Sequence, residues 1–478
     1  MAVTINSFEF RTRPMSTRFP FRYGIAAMTE LPHVFLHIRA VIDGKPCEGL
    51  ASEGLPPKWF TKDPATRFEE DLPQMTQVLE KAAVLSCGIE AESLFLLWQE
   101  LYRQQDEWAR GEKIPTLLAH LGTALVERAL IDAFCRSCHT NFADALRSNA
   151  FGIDLGELHP ELSSSQPADL LPGHPESSII ARHTVGLGDP LRDADIPVQE
   201  RCDDGLPQAL DEVIDRYALT HFKVKLSGEL ETDLPRLKLI AALLGEKVPA
   251  YRFTLDGNEQ YPTVSTFREH WQHFMADPEL SVFLGGEHLM FVEQPIRRDH
   301  ALGEAVAEDI KSWKQCPPMI IDESDGEIDS LSQALKIGYR GTSHKNCKGV
   351  FKGIANACLL EYLRRAGDGP WILSGEDLAN VGPVALLNDL AVMASLGVGH
   401  VERNGHHYFA GLSMYPERLQ DAVCAVHPDL YVPSGAGYAT LRIAGGALSA
   451  SSLTAAPFGC GLELSTEILD LLGESGLP

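Results

Sequence analysis

No uninterrupted apolar run in this sequence reaches the roughly 20 residues that a transmembrane helix needs. Met1 to Phe10 also lacks the basic start and apolar stretch of a secretory signal. The expectation is a cytoplasmic protein that does not enter membranes. Positive charge is scarce: 41 Lys and Arg stand against 66 Asp and Glu, a formal net charge of −25. Such a field repels polyanions, so neither nucleic acid nor an anionic membrane is an expected partner. Cysteine is thin, 10 in 478 residues, too dilute for a disulfide scaffold. One spacing, Cys135-Arg136-Ser137-Cys138-His139, has the form of a covalent haem site. It continues an apolar helical pattern through Leu118, Leu121, Leu125 and Ala129, so two ordinary helix cysteines are expected. The dinucleotide-binding turn is missing as well, because Gly186-Leu187-Gly188 lacks the third glycine and the helix behind it.

What the sequence does have is core material. Apolar residues make up 44% and charged residues 22%, the balance of a folded globular chain. The length suggests two or three domains. Phe8 to Arg11 and His33 to Ile42 read as strands, with Asp43-Gly44 as a hairpin turn. Amphipathic helices are predicted over Pro64–Ser86, Glu90–Trp108 and Ile114–Arg136. From Gly152 to Glu176 no period is sustained, as in an insertion or loop. Beyond Ser178 the character changes to short apolar runs alternating with helical stretches. The runs are Ile179–Val185, His221–Lys225, Arg252–Asp256, Met290–Glu293, Met319–Asp322, Gly341–Lys345, Trp371–Ser374 and His400–Arg403. Eight such runs, most of them followed by a helix, predict an α/β fold of the (β/α)8 barrel type. The expected division is 1–145, 146–178 as linker, 179–430 as barrel and 431–478 as a returning C-terminal segment.

Active sites of parallel barrels lie at the carboxyl ends of the strands. Five consecutive runs here end in ionisable groups. Lys223-Val224-Lys225 puts two lysines on one face of a strand. Asp256, Glu293 and Asp322 close the next three runs, and Lys345 closes the one after. The gaps from 256 to 293, to 322 and to 345 are 37, 29 and 23 residues, each about one strand-helix unit. Singly, each would be an ordinary cap or surface charge. Together, three converging carboxylates repel unless a cation sits among them. Oxygen-only ligands favour Mg²⁺, with Mn²⁺ as the other candidate.

This constellation resembles the enolase superfamily, and within it the Lys/Lys muconate-lactonizing branch of the mandelate racemase-like proteins. The likeness rests on Lys223-x-Lys225, Asp256-x-Asn258, Glu293-Gln294-Pro295, Asp322-Glu323-Ser324 and Lys345-x-x-Lys348-Gly349, in that order. Pro20-Phe21-Arg22-Tyr23-Gly24 looks like the family's mobile substrate-covering loop. The resemblance implies an α+β capping domain completed by the C-terminal segment, and a homo-oligomer. It implies Mg²⁺ on Asp256, Glu293 and Asp322, acid/base roles for Lys225 and Lys345, and substrate contacts from Lys223, Asn258 and Tyr23. The substrate is then a small carboxylate.

The chemistry makes physical sense. Removing a proton next to a carboxylate builds a dianionic enediolate, which a Lewis acid stabilises. A lysine base must be neutral, and a nearby cation pushes its pKa down. The seventh run carries Glu376 and Asp377 in place of a His, which disfavours the His-Asp branch. The eighth run has no Asp-x-Asp pair to hold a substrate ammonium, which disfavours dipeptides. His406 and His407, Arg18 and Arg22 are further candidates for the pocket, and Asp377 for capping a helix from Leu378. The expected reaction is racemisation, epimerisation or cycloisomerisation. The alternatives are a carboxylate lyase (a dehydratase or an o-succinylbenzoate synthase-like enzyme) and, from another class, a non-catalytic barrel that retains the site.

Overall fold

Asp43 and Gly44 both have positive φ, 50° and 76°. A turn of that kind folds strand His33–Ile42 straight back onto Lys45–Gly54, as the Asp-Gly pair predicts. The computed structural model, which describes residues 1–367 and 369–478, adds Val3–Arg13 on the other side of His33–Ile42. The outer edge of this antiparallel sheet is covered by Glu474–Ser475 and Glu90–Ala91. Helix Thr116–Ser137 packs against it, and Phe68–Ser86 and Leu94–Glu112 pack on that helix. Thr116–Ser137 is buried along most of its length. Gly49 permits that: a Cβ there would stand 2.1 Å from the Ala129 carbonyl oxygen of the same helix. Cys135 lies buried in its last turn, and Cys138 ends it. The stretch expected to be a loop forms short helical turns at Leu155–Glu157, Pro160–Leu162 and Pro167–Leu170.

The second sheet is the barrel. Its strands one to eight are Ser178–Val185, His221–Lys225, Arg252–Asp256, Leu289–Glu293, Met319–Ile320, Gly341–His344, Ile372–Gly375 and His400–Arg403. All neighbours run parallel, and strand eight pairs with strand one. Between strands five and six the pairing is thin. A bridge from Ile321 to Thr342 joins them, with hydrogen bonds from Ile321 N–H to Gly341 O and from Ser343 N–H to Ile321 O. Gly341 has φ of +154°, and a Cβ there would meet the Ile372 carbonyl oxygen at 1.8 Å, so only glycine starts that strand. The helices between strands form the outer ring. The C-terminal segment touches both parts: Ala447–Ser449 pairs with strand one, and Glu474–Ser475 with Val3–Arg13.

Candidate active site

Backbone register sets the site. Lys225 lies opposite Asp256, and Asp256 opposite Glu293, across strands two, three and four. Three charged groups thus stand at one height on the barrel's inner wall. Side chains alternate along a strand, so Lys223 enters the barrel one layer below Lys225.

That lower layer is dense with charge. Lys223 Nζ lies 2.9 Å from Asp256, 2.8 Å from Glu293, 2.8 Å from Glu376 and 3.0 Å from Glu402. Burial opposes its charge, but the four carboxylates more than offset this and hold the ammonium well above its ordinary pKa. Arg182 on strand one closes the layer from beneath, bonded to Glu376 at 2.5 Å and to Thr254 Oγ1 at 2.8 Å. Thr184 donates to Glu402 at 2.6 Å. At the upper level Lys225 reaches Asp256 at 2.6 Å. Asp256 is burdened by burial, and Lys223 and Lys225 bring its pKa below the usual carboxylate value.

The far side is built around Asp322. It accepts from Lys345 at 2.5 Å and Ser343 Oγ at 2.5 Å, and pairs with Lys348 at 2.8 Å. Its carboxyl stays well below the ordinary range, because these lysines outweigh the cost of burial. The sequence reading expected cationic surroundings to lower a lysine here. Lys345 departs from that: burial pushes it down, but Asp322 more than compensates and holds it above its ordinary value. Glu323, beside Asp322, is pushed up to about 7 by burial and by its acidic neighbours.

The three expected metal ligands close successive strands, yet they are not gathered about one point. Among the described residues no three carboxylates, imidazoles or thiolates are spaced as a metal site. Lys223 is seated between Asp256 and Glu293, and Lys345 and Lys348 hold Asp322. One observation tests whether a cation fits. Glu293 is fully buried, and neither of its oxygens takes a directed hydrogen bond, although Lys223 is close. Burial, followed by Asp256 and Glu376, drives its pKa well up. A buried carboxylate in that condition, among further oxygen donors, suits a hard divalent ion. The chemistry of the donors suits Mg²⁺, which would have to displace Lys223 from between Asp256 and Glu293 to reach them.

Above the charged floor lies an apolar ceiling. The hairpin Ser16–Tyr23 and Ala26–Glu30 brings Phe21, Tyr23 and Met28 over the cavity. Pro56, Trp59, Leu378 and Ala379 complete it. Trp59 stacks its ring on Lys345, Nζ lying 4.5 Å from the ring centre. The cavity is about 30 Å³, room for one or two waters. Tyr23 is half-buried, and its loss of solvent raises its phenol against a smaller opposing pull from Lys345. Asn258 lines the cavity, its N–H bracing Asp256 at 2.8 Å and its side-chain oxygen unpartnered.

Other candidates fall elsewhere. Arg18 is bound to Asp204 at 2.5 Å and to the carbonyls of Leu206, Pro207 and His407. Arg22 is exposed and faces an outer groove beside Gly188. His406 pairs with His183 at 3.2 Å and lines a separate small cavity. Asp377 does line the main cavity, but no helix starts at Leu378. It accepts the N–H groups of Asn380 and Asn404, and the helix begins at Ala385. Glu402 and Arg182 were not singled out from the sequence, and Lys348 entered only as part of the Lys345-x-x-Lys348-Gly349 motif, with no role of its own. Period-two spacing from Arg182 to Thr184 was the available signal for strand one; Glu402, next to the last residue of strand eight, carried none.

Neither a protein-family model nor a curated protein sequence matches the chain. Solved structures do. The 2-chloromuconate cycloisomerase of Rhodococcus opacus superposes with a TM-score of 0.62 at 15% identity, over 98% of this chain and 100% of the other. A muconate lactonizing enzyme from Pseudomonas fluorescens, complexed with muconolactone, gives 0.60 at 17%, over 99% and 100%. A Bradyrhizobium enolase complexed with magnesium and mandelic acid gives 0.56 at 14%, over 98% of each. At these identities the likeness is one of fold, and it runs the full length of the chain.

Proposed function

We propose that this chain is a Mg²⁺-dependent enzyme of the enolase type that removes the proton α to a substrate carboxylate. The reaction ends in racemisation, epimerisation or cycloisomerisation. One observation carries the reading: two lysines, Lys225 on strand two and Lys345 on strand six, line one cavity, each paired with a different carboxylate. Three strands separate them around the barrel, so they address the acidic carbon from different sides. A purely structural barrel has no use for two flexible ammoniums facing the same enclosed space.

Asp256, Glu293 and Asp322 are the residues that would hold Mg²⁺. When bound, the ion supplies Lewis acidity to the substrate carboxylate, where charge accumulates as the proton leaves. The chain does the rest. Lys223, released from Asp256 and Glu293, is placed to pair with a substrate carboxylate oxygen. Lys225 and Lys345 exchange the α-proton, one taking it and the other returning it in an isomerisation. Glu376, Glu402 and Arg182 keep the layer beneath rigid and oppositely charged. The hairpin with Phe21 and Tyr23 excludes water, which strengthens each charge interaction in the cavity.

A non-catalytic barrel would show no exchange of α-protons with solvent. The deciding measurement follows deuterium incorporation from D₂O into a panel of carboxylic acids, with Mg²⁺ and after chelation. Exchange that needs Mg²⁺ and falls in Lys225→Met and Lys345→Met supports the reading. Failure of every acid to exchange removes it.

A further inference from the structure

We propose that Glu127 of the cap is a positioning residue for Lys345: by holding the helix that follows that lysine, the cap sets where it stands, whereas the barrel itself sets Lys225. This inference rests on the α-proton reading of the same site. Only a tight turn separates Lys345 from the helix Val350–Ala366. In it the Lys345 carbonyl accepts from Lys348 N–H at 2.9 Å, and the Asn346 carbonyl from Gly349 N–H at 3.1 Å. The helix also bears directly on strand six, since a Cβ on Gly353 would stand 2.2 Å from His344 Nδ1. A shift of this helix therefore carries Lys345 with it.

The first N–H groups of a helix have no partner within it, and a Ser, Thr, Asp or Asn at the cap position ordinarily takes one. Here that position is Gly349, at φ of +105°, which has no side chain to offer. Glu127 supplies the acceptor from the other domain. Its carboxylate takes Val350 N–H at 2.9 Å and Phe351 N–H at 2.6 Å, and its charge faces the positive end of the helix dipole. Glu127 is 2% exposed, and burial, only partly offset by the two amides, lifts its carboxyl to about 7. A carboxylate buried at that cost depends on keeping both amides in reach. The mounting is firm. Glu127 lies on Thr116–Ser137, the helix packed on the cap sheet, and its neighbour Arg128 is bonded to Glu53 and to the Ser52 carbonyl. The turn Asn346–Lys348 packs on the same helix. Behind Lys225 the arrangement is different. There Asp233, from the barrel helix Leu230–Lys247, accepts Ser227 N–H and Oγ at 2.8 Å each and Gly228 N–H at 3.0 Å. One lysine hangs from the cap and the other from the barrel.

The test reads the two lysines separately. In the full chain loaded with Mg²⁺, α-proton exchange in D₂O is followed for each enantiomer of an acid that the wild type exchanges. Lys345→Met identifies the enantiomer that Lys345 serves. Glu127→Leu should lower kcat/KM for that enantiomer by about tenfold or more and leave the other within about twofold, a split that a general loss of stability would not produce. Glu127→Gln, which keeps an acceptor oxygen, should recover most of the loss. Val350→Pro removes one amide donor at a position where helices accept proline, and it carries the test if Glu127→Leu fails to fold. An equal fall for both enantiomers, or no fall for either, overturns the proposal and leaves the α-proton reading standing. If the wild type exchanges no acid, that reading falls, and backbone hydrogen exchange read by mass spectrometry decides. Residues 345–351 should then exchange about tenfold or more faster in the variant than in wild type, with 224–230 unchanged. Equal acceleration of both segments, or of neither, overturns the proposal.

Discussion

Two buried charge clusters in this molecule look alike at first sight and behave differently. Each contains a glutamate whose oxygens take no directed hydrogen bond, Glu293 in the barrel and Glu53 in the cap. Burial drives both carboxyls above their ordinary pKa. The difference is the cation. Glu53 faces Arg128 at 2.9 Å, and that guanidinium is also fixed to the carbonyls of Ser52 and Ala124. Glu293 faces Lys223, one ammonium shared among four carboxylates. A guanidinium is a rigid planar fork that does not give up its proton, whereas a lysine is a mobile point charge that can. The cap cluster is therefore a joint, and on the proposed function the barrel cluster is equipment. Burial and charge together do not mark an active site; exchangeable cations beside a cavity do.

Substitutions can break that contrast. Arg128→Met strands Glu53, and unfolding in urea should show a loss of about 3–5 kcal/mol with or without Mg²⁺. Lys223→Met should cost a similar amount, about 3–5 kcal/mol, in the metal-free protein. Here, however, added Mg²⁺ should recover most of it, because the ion can replace the lost cation. Equal behaviour of the two variants towards Mg²⁺ would erase the distinction between the clusters. Lys225→Met and Lys345→Met should each reduce turnover by about 100-fold or more, with a smaller loss of stability than Lys223→Met, because Asp256 keeps Lys223 and Asp322 keeps Lys348. For a racemised substrate, exchange in each variant should survive for one enantiomer and vanish for the other. The smallest effect is expected from Trp59→Leu, which removes the ring stacked on Lys345. A loss of about 0.5–2 kcal/mol of stabilisation should slow exchange only for the enantiomer that Lys345 serves.

Much of this architecture was legible in the amino-acid order. The eight strand runs fall where the barrel has them, within a residue or two, because each is a short apolar stretch closed by a polar residue. Lys225, Asp256, Asp322 and Lys345 line one cavity for the same reason: equal register on neighbouring strands brings strand ends together. Legibility stops at side-chain occupancy. Spacing says that Asp256 and Glu293 adjoin, but not that Lys223 Nζ lies between them. Arg18 reads as an anion receptor until the chain beyond strand one folds up to engage it with Asp204. Glu402 escaped notice because a lone acidic residue in His400–Arg403 carries no pattern of its own. The Asp377 reading failed because the chain after strand seven runs as loop to Ala385, and its amides, rather than a helix end, claim the carboxylate.

The edge of the cap sheet has a consequence for how the protein is made. Val3–Arg13 is synthesised long before Glu474–Ser475, which closes part of its outer edge. Arg11 hydrogen-bonds the Gly473 carbonyl, and Arg13 those of Leu471 and Leu472, the first of these across 462 residues. Until that segment is synthesised, a stretch of paired strand is left with open hydrogen-bonding groups, the kind of edge on which other chains add. At translation speeds of about 5–20 residues per second this exposure lasts tens of seconds at least. That edge therefore stays open for the whole time the barrel is being made, and the pairing of Glu474–Ser475 is what closes it.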